Sequence, residues 1–462
     1  MQKIDLHTNK FAIIGLGDTG ISIINYLKYH NANIVRLFDT RENPPHQELI
    51  TELNIPLLCG KLDYTQFFDI DVIVISPGVS IYEPALQQAI HNGKLIVGDI
   101  ELFAIAIESW PSKVIGITGS NGKTTVTSLC GFITEQLGLR TLIAGNIGMP
   151  VLTSYLNIIQ NGEIPDVIVL ELSSFQLETC YNLHLDSATV LNISEDHLDR
   201  YTDLLEYAYV KSHIFNNASV QVLNFNDTIV SSMSRHEIAQ LWFGESTSLI
   251  SNKYILKYDE ANNGVLHFGF NSFLSSMEIN LIGKHNYLNC LASVALLHGA
   301  GIDTTLDDSR KIAQALRDFN GLEHRMQKVT EHNGITYIED SKGTNVGAVC
   351  AGISGLNMPI HLILGGDGKG QDFSPLRQLV QNKCNSVAII GQDKQIILQV
   401  LTGIDIPIKL CDSLEMAIDA CILHAKAGDA IILSPACASW DMFDNYKHRA
   451  KVFVDYINAQ IN

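Results

Sequence analysis

Apolar runs of four to six residues alternate with amphipathic stretches of helical period along most of the chain, and that rhythm predicts an α/β fold with largely parallel sheets. In the first hundred residues the runs at 11–14, 34–38, 72–76 and 95–97 predict strands with helices between them. Ser109-Trp110-Pro111-Ser112 reads as a linker. A second unit opens with an apolar strand at 114–117, adds strands at 166–170 and 188–193, and then changes character. Around 254–281 short alternating strands without a clear helix predict a small antiparallel sheet, and a helix is expected from Tyr287 to about His298. After Phe319-Asn320-Gly321 the rhythm restarts, with strands expected at 335–339, 361–364, 387–390 and 430–433. The pattern predicts three units, at 1–108, 109–321 and 322–462.

The strand at 114–117 leads into Thr118-Gly119-Ser120-Asn121-Gly122-Lys123-Thr124-Thr125, and a helix follows with Val126, Leu129, Phe132 and Ile133 on its apolar face. Backbone N–H groups and a helix N-terminus then face an anion, and Lys123 adds a point charge. The Thr124 hydroxyl suits a Mg²⁺ shell. Ile117 stands where the general P-loop pattern has its first glycine. A plain strand–helix turn is the bland alternative; the strand before and the helix after favour ATP.

Glu171 ends the 166–170 strand, and Glu195-Asp196-His197 follow the 188–193 strand. If both strands run parallel to the phosphate-loop strand, their ends converge on the γ-phosphate. Glu171 and His197 then suit Mg²⁺, against the alternative of a solvated acidic loop. Lys211 lies in a helical stretch at 203–215, with Tyr207, Ala208, Ile214 and Phe215 as its i±3 and i±4 neighbours. Such a lysine usually snorkels. A desolvated one is more easily neutral, and can capture CO₂ as a carbamate. Asn286 and Asn289 share a face at a helix start, one placed to cap it and the other to meet a nucleobase.

Gly15-Leu16-Gly17-Asp18-Thr19-Gly20 follows the first strand, and Asp39 ends the next. Three readings stay open: a nicotinamide or flavin site, another nucleotide diphosphate, or a structural turn. Asp39-Thr40-Arg41 and Ser76-Pro77-Gly78 lie just beyond strand ends, where an open sheet binds ligands. In the third unit Arg325 offers a cation across the domain joint. Asp340-Ser341-Lys342-Gly343-Thr344-Asn345, Gly365-Gly366-Asp367-Gly368-Lys369 and Ser434-Pro435-Ala436-Cys437-Ala438-Ser439 all follow strands and together favour a second substrate pocket.

The 31 basic against 49 acidic side chains give a formal charge of −18, which disfavours nucleic acid and anionic membrane as partners. Nine scattered cysteines without a CxxC spacing argue for a reducing cytosol, and against disulfides and zinc. A strand beginning at Phe11 leaves no room for a signal peptide, and no apolar run reaches about 18 residues. The expectation is a cytoplasmic protein without membrane insertion.

Together these motifs resemble the Mur ligase family of peptidoglycan synthesis over the whole chain. The resemblance also rests on Gly98-Asp99-Ile100-Glu101-Leu102-Phe103, Gly145-Asn146-Ile147-Gly148, Glu171-Leu172-Ser173-Ser174-Phe175-Gln176-Leu177-Glu178 and His285-Asn286-Tyr287-Leu288-Asn289. It implies a Rossmann-like N-terminal domain for a UDP-sugar, a central P-loop-type ATPase domain and a Rossmann-like C-terminal domain for the amino acid. The implied reaction is ATP-dependent amide formation by a monomer, and the glycine-rich start and Ser434–Ser439 tail favour UDP-N-acetylmuramoyl-L-alanine and D-glutamate as substrates. The resemblance places Thr19, Asp39, Thr40, Arg41, Gly78 and Asn146 on the UDP-sugar. It places Gly119, Ser120, Asn121, Gly122, Lys123, Thr124, Thr125, Asn286, Asn289, Arg325 and Asp340 on ATP. Thr124, Glu171, His197 and a carbamylated Lys211 would hold two Mg²⁺, with Lys123 among the catalytic groups. Thr344, Lys369, Ser439 and Tyr446 would meet D-glutamate. Tyr446 stands where the family usually has Phe, and Ala450 where Gly is usual. The rivals are a sibling ligase adding L-alanine or a diamino acid, folylpolyglutamate synthetase, a nicotinamide oxidoreductase and a non-catalytic nucleotide-gated binder.

Overall fold

A computed structural model describes residues 4–461, except 198–199, 282, 303–305 and 357. Three sheets form, one in each predicted unit. The first has strands β1 (Lys10–Ile14), β2 (Asn33–Asp39), β3 (Leu57–Cys59), β4 (Val72–Ile75) and β5 (Leu95–Val97), all parallel in the order β3-β2-β1-β4-β5. Phe11, Ala12, Ile13 and Ile14 are fully buried because helices cover both faces of a parallel sheet, which is why such strands read as continuous apolar runs. The glycine-rich turn is built for close approach. A Cβ on Gly20 would lie 2.1 Å from the Gly15 carbonyl oxygen, so no side chain fits where the helix Asp18–Tyr29 meets the turn.

The central sheet has nine strands: β6 (Lys113–Thr118), β7 (Thr141–Gly145), β8 (Val167–Glu171), β9 (Leu185–Val190), β10 (Ala218–Asn224), β11 (Ala239–Glu245), β12 (Lys253–Tyr258), β13 (Gly264–Phe268) and β14 (Asn271–Ser275). Their order is β14-β13-β12-β11-β10-β9-β6-β8-β7. The antiparallel segment expected near 254–281 is not a separate sheet. Its first strand pairs parallel with β11, so the hairpins extend the central sheet. The strand expected at 188–193 is also displaced, to Leu185–Val190: its last expected residues form the loop whose backbone bonds the phosphate turn.

The third sheet is β15 (Gln327–His332), β16 (Ile335–Glu339), β17 (Ile360–Gly365), β18 (Cys384–Ile390), β19 (Ile408–Leu410) and β20 (Ala430–Leu433), in the order β15-β16-β20-β17-β18-β19. It is parallel apart from β15.

The first and middle units are tied by charged and aromatic contacts. Arg200 donates to the carbonyls of Pro77 (3.0 Å) and Val79 (3.2 Å) and pairs with Glu178. Glu101 accepts the Tyr181 and Asn182 N–H groups at 2.6 and 2.9 Å. Trp110 of the predicted linker stacks on Tyr155, 5.5 Å between ring centres. The third unit meets the middle one through the helix Val346–Ser354 and Arg325.

Candidate active site

In the central sheet β6 lies between β9 and β8, with Thr118 opposite Val190 and Ile117 opposite Glu171. Their C-terminal ends therefore bring Glu171 and the 191–197 loop to either side of the phosphate turn. Gly122 is left-handed at φ +86° and caps the helix Lys123–Gln136, and a Cβ there would sit 2.8 Å from Asn289 Oδ1. Only glycine lets the loop and the Asn289 amide come so close. The turn is braced by Asn192, whose Oδ1 accepts the Asn121 N–H (2.9 Å) and whose amide donates to the Asn121 carbonyl (2.9 Å). Ser120 Oγ donates to the Ser194 carbonyl and accepts the Ser194 N–H. Lys123 Nζ donates to the loop carbonyls of Gly119 (2.7 Å) and Ser120 (2.9 Å), so the ammonium is held at the turn. Burial pulls its pKa down, against the fields of Glu171 and Asp196.

Glu171 is 2% exposed. Its Oε1 accepts the Asn146 amide at 3.1 Å, whereas Oε2 is buried without any hydrogen-bond partner. An orphaned carboxylate oxygen beside a phosphate loop suits a cation. His197 has φ +55°, a costly conformation for a non-glycine residue, and its ring packs edge-on to Phe175 at 4.8 Å. Among the described residues no cluster of three His, Cys, Asp or Glu side chains forms a ready metal cage. The unpaired Glu171 oxygen fits Mg²⁺, which uses few protein ligands and completes its shell with phosphate and water oxygens.

Lys211 does not snorkel. It is 1% exposed, on the helix Leu204–Ser212, with Nζ 3.3 Å from Thr118 Oγ1 and 4.6 Å from the Tyr207 ring centre. Burial, then the Lys123 charge, drives its pKa well down. An ammonium cannot ligate a metal, so Lys211 would join a cation site only after losing its proton.

The UDP-sugar candidates Thr19, Asp39, Thr40, Arg41, Gly78 and Asn146 all line one cleft between the first and middle units. The buried Asp39 carboxylate already accepts from Leu16 N–H (2.8 Å) and from Arg41 Nε and Nη2 (2.8 and 2.7 Å). Burial raises its pKa, but these donors outweigh that and hold it below the usual range. Its evident work is to aim Arg41.

A second cleft, between the middle and third units, is lined by Asn121, Gly122, Thr125, Asn286, Asn289, Arg325 and Asp340. Gly283, not an asparagine, occupies the N-cap of the helix Lys284–Gly299, which corrects the capping expectation. Asn289 instead donates to Asn286 Oδ1 at 3.2 Å, fixing both amides. Arg325 Nη2 donates to Thr124 Oγ1 at 3.0 Å across the domain boundary. Burial raises the Asp340 pKa to about 7. His285 and Lys342, which sit inside motifs the sequence singled out, also line this cleft, as do Asn192 and Asn224, which escaped the sequence reading. Asn192 had only its nearness to the Glu195–His197 loop as a signal, and Asn224 had none.

A small cleft joins His197 to Thr344 and Lys369. Ser439 and Tyr446 do not line it. Ser439 is buried, and Tyr446 lies under the Lys342 ammonium (5.2 Å) beside His324.

A glycine-rich cleft whose Asn146 bonds Glu171, a phosphate loop on the neighbouring strand, and a third-domain pocket shared with His197 are the parts of a three-domain ATP-dependent ligase. Family models match the chain in order: the Mur ligase MurD-like N-terminal domain at 9–98, the Mur ligase middle domain at 117–297 and the Mur ligase glutamate ligase domain at 324–437. UDP-N-acetylmuramoylalanine–D-glutamate ligases of Chromobacterium violaceum and Methylobacillus flagellatus are 43% and 44% identical to it. The alignments cover 99% and 98% of this chain and 99% and 97% of theirs. A pseudomurein peptide ligase type C of Methanothermus fervidus shares the fold, with TM-score 0.60 at 19% identity over 98% of this chain and all of that one. The chain belongs to the Mur ligase family. The nicotinamide reading of the first unit is thereby overturned, since its residues match a ligase domain.

Proposed function

We propose that this enzyme joins D-glutamate to the carboxyl group of UDP-N-acetylmuramoyl-L-alanine, using ATP and releasing ADP and orthophosphate, in peptidoglycan synthesis. The observation that carries the reading is whole-length identity above 40% to relatives bearing that activity in their name. We divide the units at about residues 108 and 321, and assign the site residues the roles expected of them, except Ser439 and Tyr446, which do not line the cleft of Thr344 and Lys369.

The nucleotide sugar lies along the first cleft, with Arg41 and Thr19 on its UDP part and Asn146 near its acid end. ATP lies on the phosphate turn, its base toward Asn286 and Asn289. The substrate carboxylate oxygen bonds to the γ-phosphorus as the bond to the ADP oxygen breaks, giving an acyl phosphate. Lys123 and Arg325 lie where they can balance charge on the transferring oxygens. Two Mg²⁺ held by Thr124, Glu171, His197 and Lys211 carbamate would supply further positive charge there. That carbamate forms when the neutral Lys211 amine adds to CO₂ and a proton leaves; its burial supports a neutral amine. The D-glutamate amine, in the cleft of Thr344 and Lys369 beside His197, loses a proton to His197 or solvent and attacks the acyl carbon, and orthophosphate departs. The third domain excludes water that would hydrolyse the acyl phosphate.

The test is phosphate release with ATP, Mg²⁺, UDP-N-acetylmuramoyl-L-alanine and a panel of amino acids. Release should depend on D-glutamate, and ¹⁸O in the substrate carboxyl should appear in the orthophosphate. Equal release with L-alanine or a diamino acid, or no isotope transfer, would sink the assignment.

A further inference from the structure

Asp99 opens the helix Asp99–Ala106 just after β5 and lines the same cleft as Thr19, Arg41, Gly78 and Asn146. It is 4% exposed, and its Oδ1 is buried with no hydrogen-bond partner. The Gln176 side chain of the middle domain reaches the same carboxyl, so the group sits at the seam between two domains. Native proteins rarely leave a buried carboxyl oxygen unpaired, and each exception calls for an explanation, a functional role among them.

The sheet order says which part of the ligand passes Asp99. Along β2-β1-β4-β5 the cleft presents Arg41, then the glycine turn, then Gly78, then Asp99. Asn146 of the middle unit lines the same cleft and is bonded to Glu171. On the ligase reading above, the reacting carboxyl must reach Glu171, so the nucleobase lies toward β2 and the sugar–peptide crosses β5. A diphosphate offers only acceptors to a carboxylate, which itself offers only acceptors. The sugar–peptide offers hydroxyl and amide N–H donors.

We propose that Asp99 is a positioning and specificity residue, its carboxyl accepting a hydrogen bond from an O–H or N–H of the sugar–peptide. It thereby distinguishes the full substrate from bare UDP.

Calorimetric titration of the full chain with UDP and with UDP-N-acetylmuramoyl-L-alanine tests this. Asp99→Ala should weaken the sugar–peptide ligand about tenfold or more and leave UDP within about twofold, the loss expected for a charge-assisted hydrogen bond. Asp99→Asn keeps the volume and one acceptor and should show the same selectivity at about threefold. A group that merely caps the helix or ties the domains would shift both ligands equally. Equal losses, or no loss in either variant, overturn the assignment of Asp99 alone. Wild-type protein that binds the two ligands equally and releases no phosphate with D-glutamate overturns the ligase reading, and Asp99 with it.

Discussion

The two domain boundaries are built from different chemistry. Between the first and middle units a buried Arg200–Glu178 ion pair clamps the Pro77–Val79 turn, Glu101 takes two backbone N–H groups, and Trp110 stacks on Tyr155. Between the middle and third units a reciprocal amide pair, Asn121 with Asn345, and the Arg325–Thr124 contact bridge the phosphate loop. Opening the first boundary would strip the buried Arg200 and Glu101 side chains of their backbone partners, whereas the neutral amide pair at the second exchanges easily for water. The glycine-rich cleft and phosphate loop are thus held as one block, which on the proposed function would keep a carboxyl and a γ-phosphate in register. On the proposed function, the third domain, which carries Thr344 and Lys369, is the part expected to open for its amino acid.

The strongest way to break this contrast is Arg200→Ala. The Arg200 side chain is 9% exposed and that of Glu178 1%, so the truncation strands a carboxylate that, among the described residues, keeps the Tyr201 hydroxyl at 2.7 Å. Breaking one side of such a pair costs about 3–5 kcal/mol. Urea unfolding should show that loss, with a raised KM for the UDP-sugar because the Pro77–Val79 turn loses its clamp. A loss below about 1 kcal/mol would mean that the first boundary is no firmer than the second.

The second boundary contains a pH-dependent group. Burial lifts the Asp340 pKa from 3.8 to about 7, so the folded chain holds this proton more tightly than the unfolded chain. The protonated acid stabilises the fold fully below the unfolded value, and that contribution fades as pH rises toward 7. Asp340→Asn stays neutral, retains an acceptor for the Met326 N–H and offers a donor to Ser434 Oγ. The variant should gain on the order of 2–4 kcal/mol over wild type between about pH 4 and pH 8, read as a flatter Tm profile. Parallel profiles would show that Asp340 does not titrate in this range.

What the sequence disclosed follows the same physics. Strands buried on both faces, such as Phe11–Ile14 within β1 and β17, announce themselves as apolar runs, and glycine turns at their ends mark the clefts. Several edge strands escaped that reading, although the edge strand Leu95–Val97 did not. Leu57–Cys59 and Ile408–Leu410 have three residues each with half-exposed faces, and Thr141–Gly145 is mostly half-buried. The interior β10 was missed for another reason: its buried Gln221 reads as surface, yet its amide bonds the Met233 carbonyl and the Arg235 N–H. Lys211 shows the limit most clearly. Its apolar neighbours fit a snorkelling lysine, and only the fold reveals Thr118 and Tyr207 closing over the amine.

The Asn121–Asn345 pair sharpens the contrast at its weakest point. Asn121 Nδ2 donates to Asn345 Oδ1 at 3.4 Å and Asn345 Nδ2 donates back at 3.3 Å, while Asn345 Oδ1 also caps its helix by accepting the Ala348 N–H at 2.8 Å. Both single alanine variants should raise the ATP KM, by about 0.5–1.5 kcal/mol, with Asn345→Ala the costlier because the cap is lost as well. Asn345→Asp separates the effects, since it keeps the cap acceptor but removes the donor to Asn121. A double-mutant cycle should give a coupling of about 0.5–1 kcal/mol in ATP binding. The Asn345→Asp chain should also expand in small-angle scattering with ATP analogue and UDP-sugar bound. Zero coupling with an unchanged scattering profile would mean that the third domain is held by Arg325 and helix packing alone. The amide pair would then bear only on the shape of the phosphate turn.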